Sequence, residues 1–333
     1  MSNTIQNYRK ICDEAIQLAN TIKLNFSNPE RIIFAGMGGS GIAGNLVKDV
    51  ADLDIPIEVS KGYTLPSLAN SNSLVVCISY SGNTEETLYQ FVEAVKRKCA
   101  IFSISSGGKL LEWSKKLDIP FVQLPSGYEP REALPYLFFS ALSILEKLNL
   151  KDYSSGKNEF LNLMEKIDLK RIDKIANDIK DSLIFIYGST EFSGVLRRIK
   201  NELNENSKLI AKVEELPELN HNEIVGYEIF SYPNISVIFL RDVDERIEIS
   251  KRIEITKNII RDKVRNINEI WTYGKSKLSK VMSLVYQGAY LSFKLAELKG
   301  IDWRRTKTID RIKQELKSLN TVEKMEKEIE HIR

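Results

Sequence analysis

The chain has 333 residues, 43% of them hydrophobic and 28% charged, which is enough for a sizeable core and two domains of ordinary size. The 48 basic and 45 acidic residues are interspersed and leave a net charge of only +3, and this balance argues against a nucleic-acid-binding protein. Since the sequence has no apolar run near about 18 residues and no apolar signal core at its N-terminus, we expect a cytoplasmic protein without a transmembrane helix.

The cysteines and histidines are too few and too scattered to predict a metal site. Cys12, Cys77 and Cys99 form no Cys-x-x-Cys pair, and their odd number argues against a disulfide framework, so we expect reduced thiols. The two histidines of the sequence, His221 and His331, lie far apart along the chain. We therefore predict that no metal is bound.

The first half of the chain alternates strand and helix patterns. Apolar runs predict strands at 31–36, 55–60, 73–79, 99–105 and 120–124. Helical spacing of apolar residues predicts helices at 41–51, 83–98 and 109–117. Continuous apolar strands that alternate with helices are typical of a parallel sheet covered on both faces.

The second half repeats this organisation after a polar segment. Residues 151–160, KDYSSGKNEF, predict a linker. Beyond it, the patterns predict strands at 182–189, 208–216, 235–242 and 268–274, and helices at 191–204, 277–298 and 308–332. We predict two similar α/β domains, 1–153 and 154–333, with the C-terminal helix in the second.

A glycine-rich turn, AGMGGSGIAGN at 35–45, lies between the first strand and the first helix. Gly36, Gly38 and Gly41 fit the dinucleotide-binding pattern, and Glu58 in the next strand could contact a ribose. Glycines let the backbone approach an anion, and a helix N-terminus attracts one. The pattern alone does not identify the anion, and a turn without any ligand is the alternative.

A second turn, CISYSGNT at 77–84, carries three hydroxyl groups at the end of another strand. Thr84 can cap the following helix, but capping explains only one of the three. Ser79, Ser81 and Thr84, together with free helix N–H groups, can give a phosphate many hydrogen bonds. Two such turns in one domain fit a compact sugar phosphate better than a nicotinamide cofactor.

The two turns, GMGGSG at 36–41 and SYSGNTEET at 79–87, resemble those of the sugar isomerase (SIS) domain family. Over its full length the chain resembles the bifunctional phosphoglucose/phosphomannose isomerases of archaea and some bacteria. The resemblance implies an α/β fold of two SIS-type domains, each a mostly parallel sheet flanked by helices. It implies no cofactor. It also implies that the substrate is a hexose 6-phosphate, whose phosphate is held by four hydroxyl-bearing residues: Ser40, Ser79, Ser81 and Thr84.

An isomerase of this class interconverts glucose 6-phosphate and mannose 6-phosphate with fructose 6-phosphate through a cis-enediol. Such a reaction needs a base that moves a proton between C1 and C2. The resemblance places this base at Glu202 in NELNEN, although Glu205 is an alternative on the sequence alone. It also implies that His221, in ELNHNE, assists ring opening from the neighbouring subunit of a homodimer.

Further groups are required to stabilise the enediolate and to open the sugar ring. The resemblance assigns enediolate stabilisation to Arg131 and to the backbone N–H groups of Gly38 and Gly39. In the C-terminal segment, Lys313 matches a lysine that helps ring opening, and Thr306 matches a threonine tied to acceptance of mannose 6-phosphate.

The C-terminal segment also departs from the family pattern. Asp302-Trp303 stands where the family usually has Asp-Pro, and Arg305 and Lys307 are rival candidates for the role of Lys313.

Two other functions compete with the isomerase. One is a non-catalytic SIS-domain sensor that binds a phosphosugar, and the other is an NAD-dependent dehydrogenase suggested by the glycine pattern. The second full domain and the lack of a helix-turn-helix segment favour the enzyme over the sensor.

Overall fold

The computed structural model describes residues 3–26 and 28–331, so the outermost predicted domain limits, 1 and 333, and the predicted helix end at 332 lie outside it. The chain divides into two compact units. The N-unit comprises Tyr8–Tyr153 and the segment from Thr306 onward, and the C-unit comprises Ser154–Arg305 and the segment up to Asn7. Within the described ranges, no helix combines the length and apolar character needed to cross a membrane.

Strands and helices alternate through most of the chain. The first half forms α1 (Asn3–Gln6), α2 (Tyr8–Asn20), β1 (Arg31–Ala35), α3 (Gly38–Val50), β2 (Ile57–Ser60), β3 (Ser73–Ile78), α4 (Glu85–Lys96), β4 (Ala100–Ser105), α5 (Gly108–Lys116), β5 (Phe121–Gln123) and α6 (Leu134–Lys147). The second half forms α7 (Ser154–Leu163), α8 (Leu169–Ile179), β6 (Leu183–Ser189), α9 (Ser193–Asn206), β7 (Ala211–Leu216), β8 (Tyr232–Arg241), α10 (Ile247–Ile260), β9 (Val264–Trp271), α11 (Lys277–Leu298), α12 (Lys307–Leu316) and α13 (Thr321–His331).

The N-unit contains a five-stranded parallel sheet in the order β2-β1-β3-β4-β5. Every residue of β3 is buried, as expected for a parallel strand covered on both faces. The strand order reverses between β1 and β3, where Ala35 lies opposite Cys77. In open parallel sheets, ligands bind at such a reversal, beyond the carboxyl ends of the strands.

The C-unit contains a four-stranded parallel sheet in the order β7-β6-β8-β9. Its core includes Tyr187, Val237, Phe239 and Ile253, which are buried together. The predicted α/β class, with two parallel sheets flanked by helices, is confirmed.

The C-terminal segment differs from the single helix predicted at 308–332. Asn320 adopts a left-handed backbone conformation, φ 52°, which asparagine tolerates and which separates α12 from α13. Met325 and Ile329 of α13 are buried in the N-unit core beside Trp113. Sequence analysis assigns this segment to the second domain, but because α13 packs against α4, it groups with the N-unit.

The segment predicted as a linker, 151–160, is largely helical because α7 begins at Ser154. A Cβ atom on Gly156 would lie only 3.2 Å from Cβ of Leu278, so this glycine permits α7 to approach the start of α11. The Glu159 carboxylate accepts hydrogen bonds from the backbone N–H groups of Lys275 and Ser276. Burial alone would raise the pKa of Glu159, but hydrogen bonding to the Ser276 side chain, to these two backbone groups and to the Ser279 hydroxyl lowers it to about 2.

Candidate active site

The glycine-rich turn connects the end of β1 to the start of α3 in very little space. A Cβ atom on Gly41 would lie 2.3 Å from the carbonyl oxygen of Gly36, and one on Gly36 would lie 2.8 Å from that of Ile78. Glycine is therefore required at both positions. The tight turn leaves the N-terminal N–H groups of α3 at the strand reversal, where they can bind an anion.

The second turn lies directly beside the first. The backbone N–H of Tyr80 donates to Oγ of Ser40, at 3.1 Å. Oγ of Ser79 lies 2.8 Å from Oγ1 of Thr84 and accepts from the N–H of Gly82 at 3.1 Å. Because a hydroxyl that only accepts keeps its proton, the Ser40 hydroxyl and one hydroxyl of the Ser79–Thr84 pair can also donate to a phosphate. The structure thus brings Ser40, Ser79 and Thr84 together.

The remaining hydroxyl of the second turn is exposed. Oγ of Ser81 accepts from the N–H of Asn83 at 3.3 Å. Thr84 occupies the N-cap position of α4, but its side chain makes no capping hydrogen bond within the described part of the chain. Capping therefore does not account for the hydroxyls of this turn.

Arg131 lies in the loop before α6, against the glycine turn. A Cβ atom on Gly39 would lie 3.2 Å from the carbonyl oxygen of Pro130 and 3.6 Å from Cα of Arg131. The Arg131 residue is only 4% exposed, and its Nη1 lies 3.6 Å from Oε2 of Glu129. The guanidinium is a fixed cation in the same unit as both turns.

Glu202 lies in α9 of the C-unit and is 2% exposed. Nη2 of the equally buried Arg198 donates to its Oε1 from one helical turn away. A Cβ atom on Gly288 would lie 2.4 Å from Cγ1 of Ile199, so glycine in α11 allows α9 to pack closely. Glu205, the alternative base, is only partly buried. Buried charged groups held by a specific partner are candidates for functional roles.

His221 ends a short 3₁₀ helix, Glu218–His221, that follows β7. Leu219 anchors this helix in the core, whereas the His221 side chain is exposed. Nδ2 of Asn220 donates to Oγ1 of Thr256 at 2.9 Å, and Nδ2 of Asn222 donates to Oε1 of Glu218 at 2.7 Å. The neighbouring side chains thus hold the turn and leave the imidazole accessible.

Thr306 immediately precedes α12, and Lys313 lies within this helix. None of the residues of this helix is buried, and Lys313 is exposed. Of the rival cations, Arg305 pairs with Asp302 at 3.1 Å, whereas Lys307 is exposed at the first position of α12. Thr306 and Lys313 belong to the N-unit with the two turns, and Glu202 and His221 belong to the C-unit.

Comparison with known proteins assigns this chain to a family. Residues 170–316 match the family model of the bacterial phospho-glucose isomerase C-terminal SIS domain. The bifunctional phosphoglucose/phosphomannose isomerase of Caldicellulosiruptor bescii is 33% identical, and the alignment covers 95% of this chain and 98% of that protein. The chain belongs to the bifunctional phosphoglucose/phosphomannose isomerase family.

Two further proteins show how widely the architecture of this isomerase family is shared. The D-glucosamine-6-phosphate 4-epimerase of Sulfolobus acidocaldarius is 30% identical over 96% of this chain and 99% of its own length. The C-terminal domain of glucosamine-fructose-6-phosphate aminotransferase from Francisella tularensis shares the fold, with a TM-score of 0.71 and 17% identity over 91% of this chain and 97% of that one.

Sequence analysis of this isomerase family member missed two residues at the turns. The Tyr80 hydroxyl accepts from the N–H of Tyr128 at 3.0 Å and donates to the carbonyl of Pro125 at 2.8 Å, so it ties the Arg131 loop to the second turn. Nζ of Lys61, just after β2, donates to Oδ1 of Asn45 in α3 at 2.6 Å. The position of Tyr80 between two serines gives no sequence signal for its hydrogen bonds to the Arg131 loop.

The structure does not place Glu58 where a dinucleotide-binding site would need an acidic residue. Glu58 is the second residue of β2 rather than its last, and its Oε1 lies 3.7 Å from Nη1 of Arg31. It is therefore not at the strand end where a ribose would be bound. Among residues 3–26 and 28–331, no group of three or more potential ligands is placed to hold a metal ion.

Gly82→Ala is expected to disrupt the second turn. Gly82 has φ 71°, and a Cβ atom there would lie 1.8 Å from the carbonyl oxygen of Gly107. We expect the free energy of unfolding to fall by about 1–3 kcal/mol, and kcat/KM for a hexose 6-phosphate to fall at least about tenfold. Urea denaturation and steady-state kinetics measure the two effects. Gly107→Ala is the control, since a Cβ atom there would lie in open space, more than 4 Å from any described residue other than its chain neighbours; equal behaviour of the two variants would contradict the prediction.

Proposed function

We propose that this protein interconverts glucose 6-phosphate and mannose 6-phosphate with fructose 6-phosphate through a cis-enediol. The observation that carries the proposal is the pair of hydroxyl-bearing turns joined by the hydrogen bond from Tyr80 to Ser40. The turns meet at the strand reversal of the N-unit sheet, where a phosphate can be bound. The chain's membership of a family named for these two activities supports the choice of substrates.

The phosphate is held by Ser40, Ser79, Ser81 and Thr84, and by the N-termini of α3 and α4. Hydrogen bonds to an ionised acceptor are roughly twice as strong as neutral ones, so hydroxyl and backbone donors suffice without a lysine. Holding the phosphate fixes the sugar carbons relative to the catalytic groups, which turns proton transfer into an intramolecular step.

Glu202 acts as the base that removes the proton from C2 of the aldose and returns it to C1 of the ketose. Its burial beside Arg198 supports this role, because a fixed carboxylate in a water-poor environment is suited to proton transfer. Arg131 and the backbone N–H groups of Gly38 and Gly39 stabilise the negative charge of the enediolate.

His221 and Lys313 open the sugar ring by moving a proton between the ring oxygen and the C1 hydroxyl. Both side chains are exposed in the described structure, so they are accessible to a substrate or to a second subunit. Thr306 contributes to acceptance of mannose 6-phosphate. Arg305 is the weaker rival to Lys313 because it is paired with Asp302.

The protein acts as a homodimer in which His221 is donated to the partner's site. Three large apolar side chains in the segment after His221 are exposed: Val225 (56%), Ile229 (78%) and Phe230 (65%). Exposed apolar patches on folded proteins mark sites of association, and a symmetric dimer interface would cover them.

Coupled assays with each hexose 6-phosphate test the activity. After EDTA treatment the protein is expected to form fructose 6-phosphate from both substrates. Tight phosphosugar binding without turnover would identify a sensor instead. Glucosamine 6-phosphate is the comparison substrate, because one relative is an epimerase of that sugar phosphate; turnover of it alone would replace the proposed activity.

A further inference from the structure

A second pocket lies in the C-unit, and none of the residues assigned a role above lines it. It has a volume of about 310 Å³ and lies beside the edge strand β9, with walls from α8 and α10. Arg171 and Lys174 contribute from α8, Lys257 from α10, and Asn268 from β9. This volume is large enough for a small metabolite.

The charged residues that line the pocket leave an excess of positive charge. Among the described residues that line it, Glu269 alone is acidic, and its carboxylate is neutralised by Lys257 at 2.8 Å and by Arg241 at 2.7 Å. Arg171 and Lys174, three residues apart on α8, lie on the same face of the helix. Neither side chain is in an ion pair within the described part of the chain, so both cations are available to an anion.

The β9 wall provides an amide donor without an acceptor. Nδ2 of Asn268 is buried and makes no hydrogen bond within residues 3–26 and 28–331. Asn266, two residues earlier on the same side of the strand, donates to the carbonyl of Asp178 at 2.7 Å. A buried donor without an acceptor is destabilising, and a bound oxygen atom would remove this cost.

We propose that this pocket binds a phosphorylated small molecule. Arg171 and Lys174 hold the phosphate, with the guanidinium matching two of its oxygens, and Asn268 donates to another oxygen. Ile175 and Ile267, which also line the pocket, contact the apolar part of the molecule. The site is separate from the substrate turns, and its existence does not depend on the isomerase activity.

Binding stoichiometry of radiolabelled inorganic phosphate to the full-length chain tests the proposal. The unmodified protein is expected to bind two phosphates per chain, one at the turns and one at this pocket. The double variant Arg171→Ala/Lys174→Ala is expected to bind one. Lys166→Ala/Lys251→Ala removes two exposed lysines of the same unit outside the pocket and is expected to retain both sites.

Asn268→Leu is a second variant that leaves all charges in place, and it is expected to weaken the second site at least about tenfold. Competition with pyrophosphate and with hexose 6-phosphates distinguishes a site for free phosphate from one for a phosphorylated metabolite. Equal numbers of bound phosphates on the unmodified chain and on the Arg171→Ala/Lys174→Ala variant would overturn the proposal, whereas one phosphate on the unmodified chain and none on the variant would mean that the turns, not the pocket, fail to bind phosphate.

Discussion

Replacing Glu202 by glutamine is expected to lower kcat for both hexose 6-phosphates by about 10²–10⁴-fold, the usual contribution of a general base. Glutamine keeps the shape of the side chain but cannot accept the C2 proton. KM is expected to change little, because the phosphate is held by turns in the N-unit. Exchange of solvent deuterium into the sugar should fall with kcat, and mass spectrometry of the product measures it.

The Glu202 variant also changes a buried ion pair, so stability must be measured with it. Arg198 would remain buried opposite a neutral amide, and loss of one partner of such a pair costs about 3–5 kcal/mol. Glu202→Asp keeps the charge but withdraws the carboxylate by about 1 Å, and it is expected to lower kcat about 10²-fold. Glu205→Gln is the control in the same helix. If Glu205→Gln, and not Glu202→Gln, abolished turnover in a folded protein, the base would be Glu205.

The phosphate turns could be predicted because their chemistry is local. Glycines at a strand end, hydroxyls at another strand end and helix patterns behind both are visible in the sequence. The alternation of strands and helices also predicts a parallel sheet, whose strands end at the same edge. It does not show that β1 and β3 are neighbours, which depends on the order of the strands, nor that the Tyr80 side chain fixes the neighbouring loop.

Elements that depend on distant contacts were harder to predict. Ser154, Ser155 and Gly156 have the local character of a loop, but α7 forms there because Gly156 lets it pack against α11 and Phe160 is buried. The spacing of Arg198 and Glu202 is evident in the sequence, yet their burial follows only from packing of α9 on α11. Tertiary contacts override local propensity in such cases.

A mixed dimer of two inactive variants is expected to regain activity if His221 acts across a subunit interface. Chains carrying Glu202→Gln and His221→Ala would be co-expressed with different tags, and the mixed dimer isolated by both tags. One of its two sites would then combine an intact Glu202 with an intact His221 from the other chain. In a symmetric dimer this arrangement restores about half of the unmodified activity per dimer.

The two parent homodimers are the controls, and each is expected to show little turnover in the same coupled assay. Neither variant alone can form an intact site, whichever subunit supplies His221. A folded mixed dimer as inactive as its parents would mean that His221 serves the chain that carries it. If the His221→Ala homodimer were fully active, the histidine would have no role in ring opening, and its exposure beside Val225, Ile229 and Phe230 would reflect association alone.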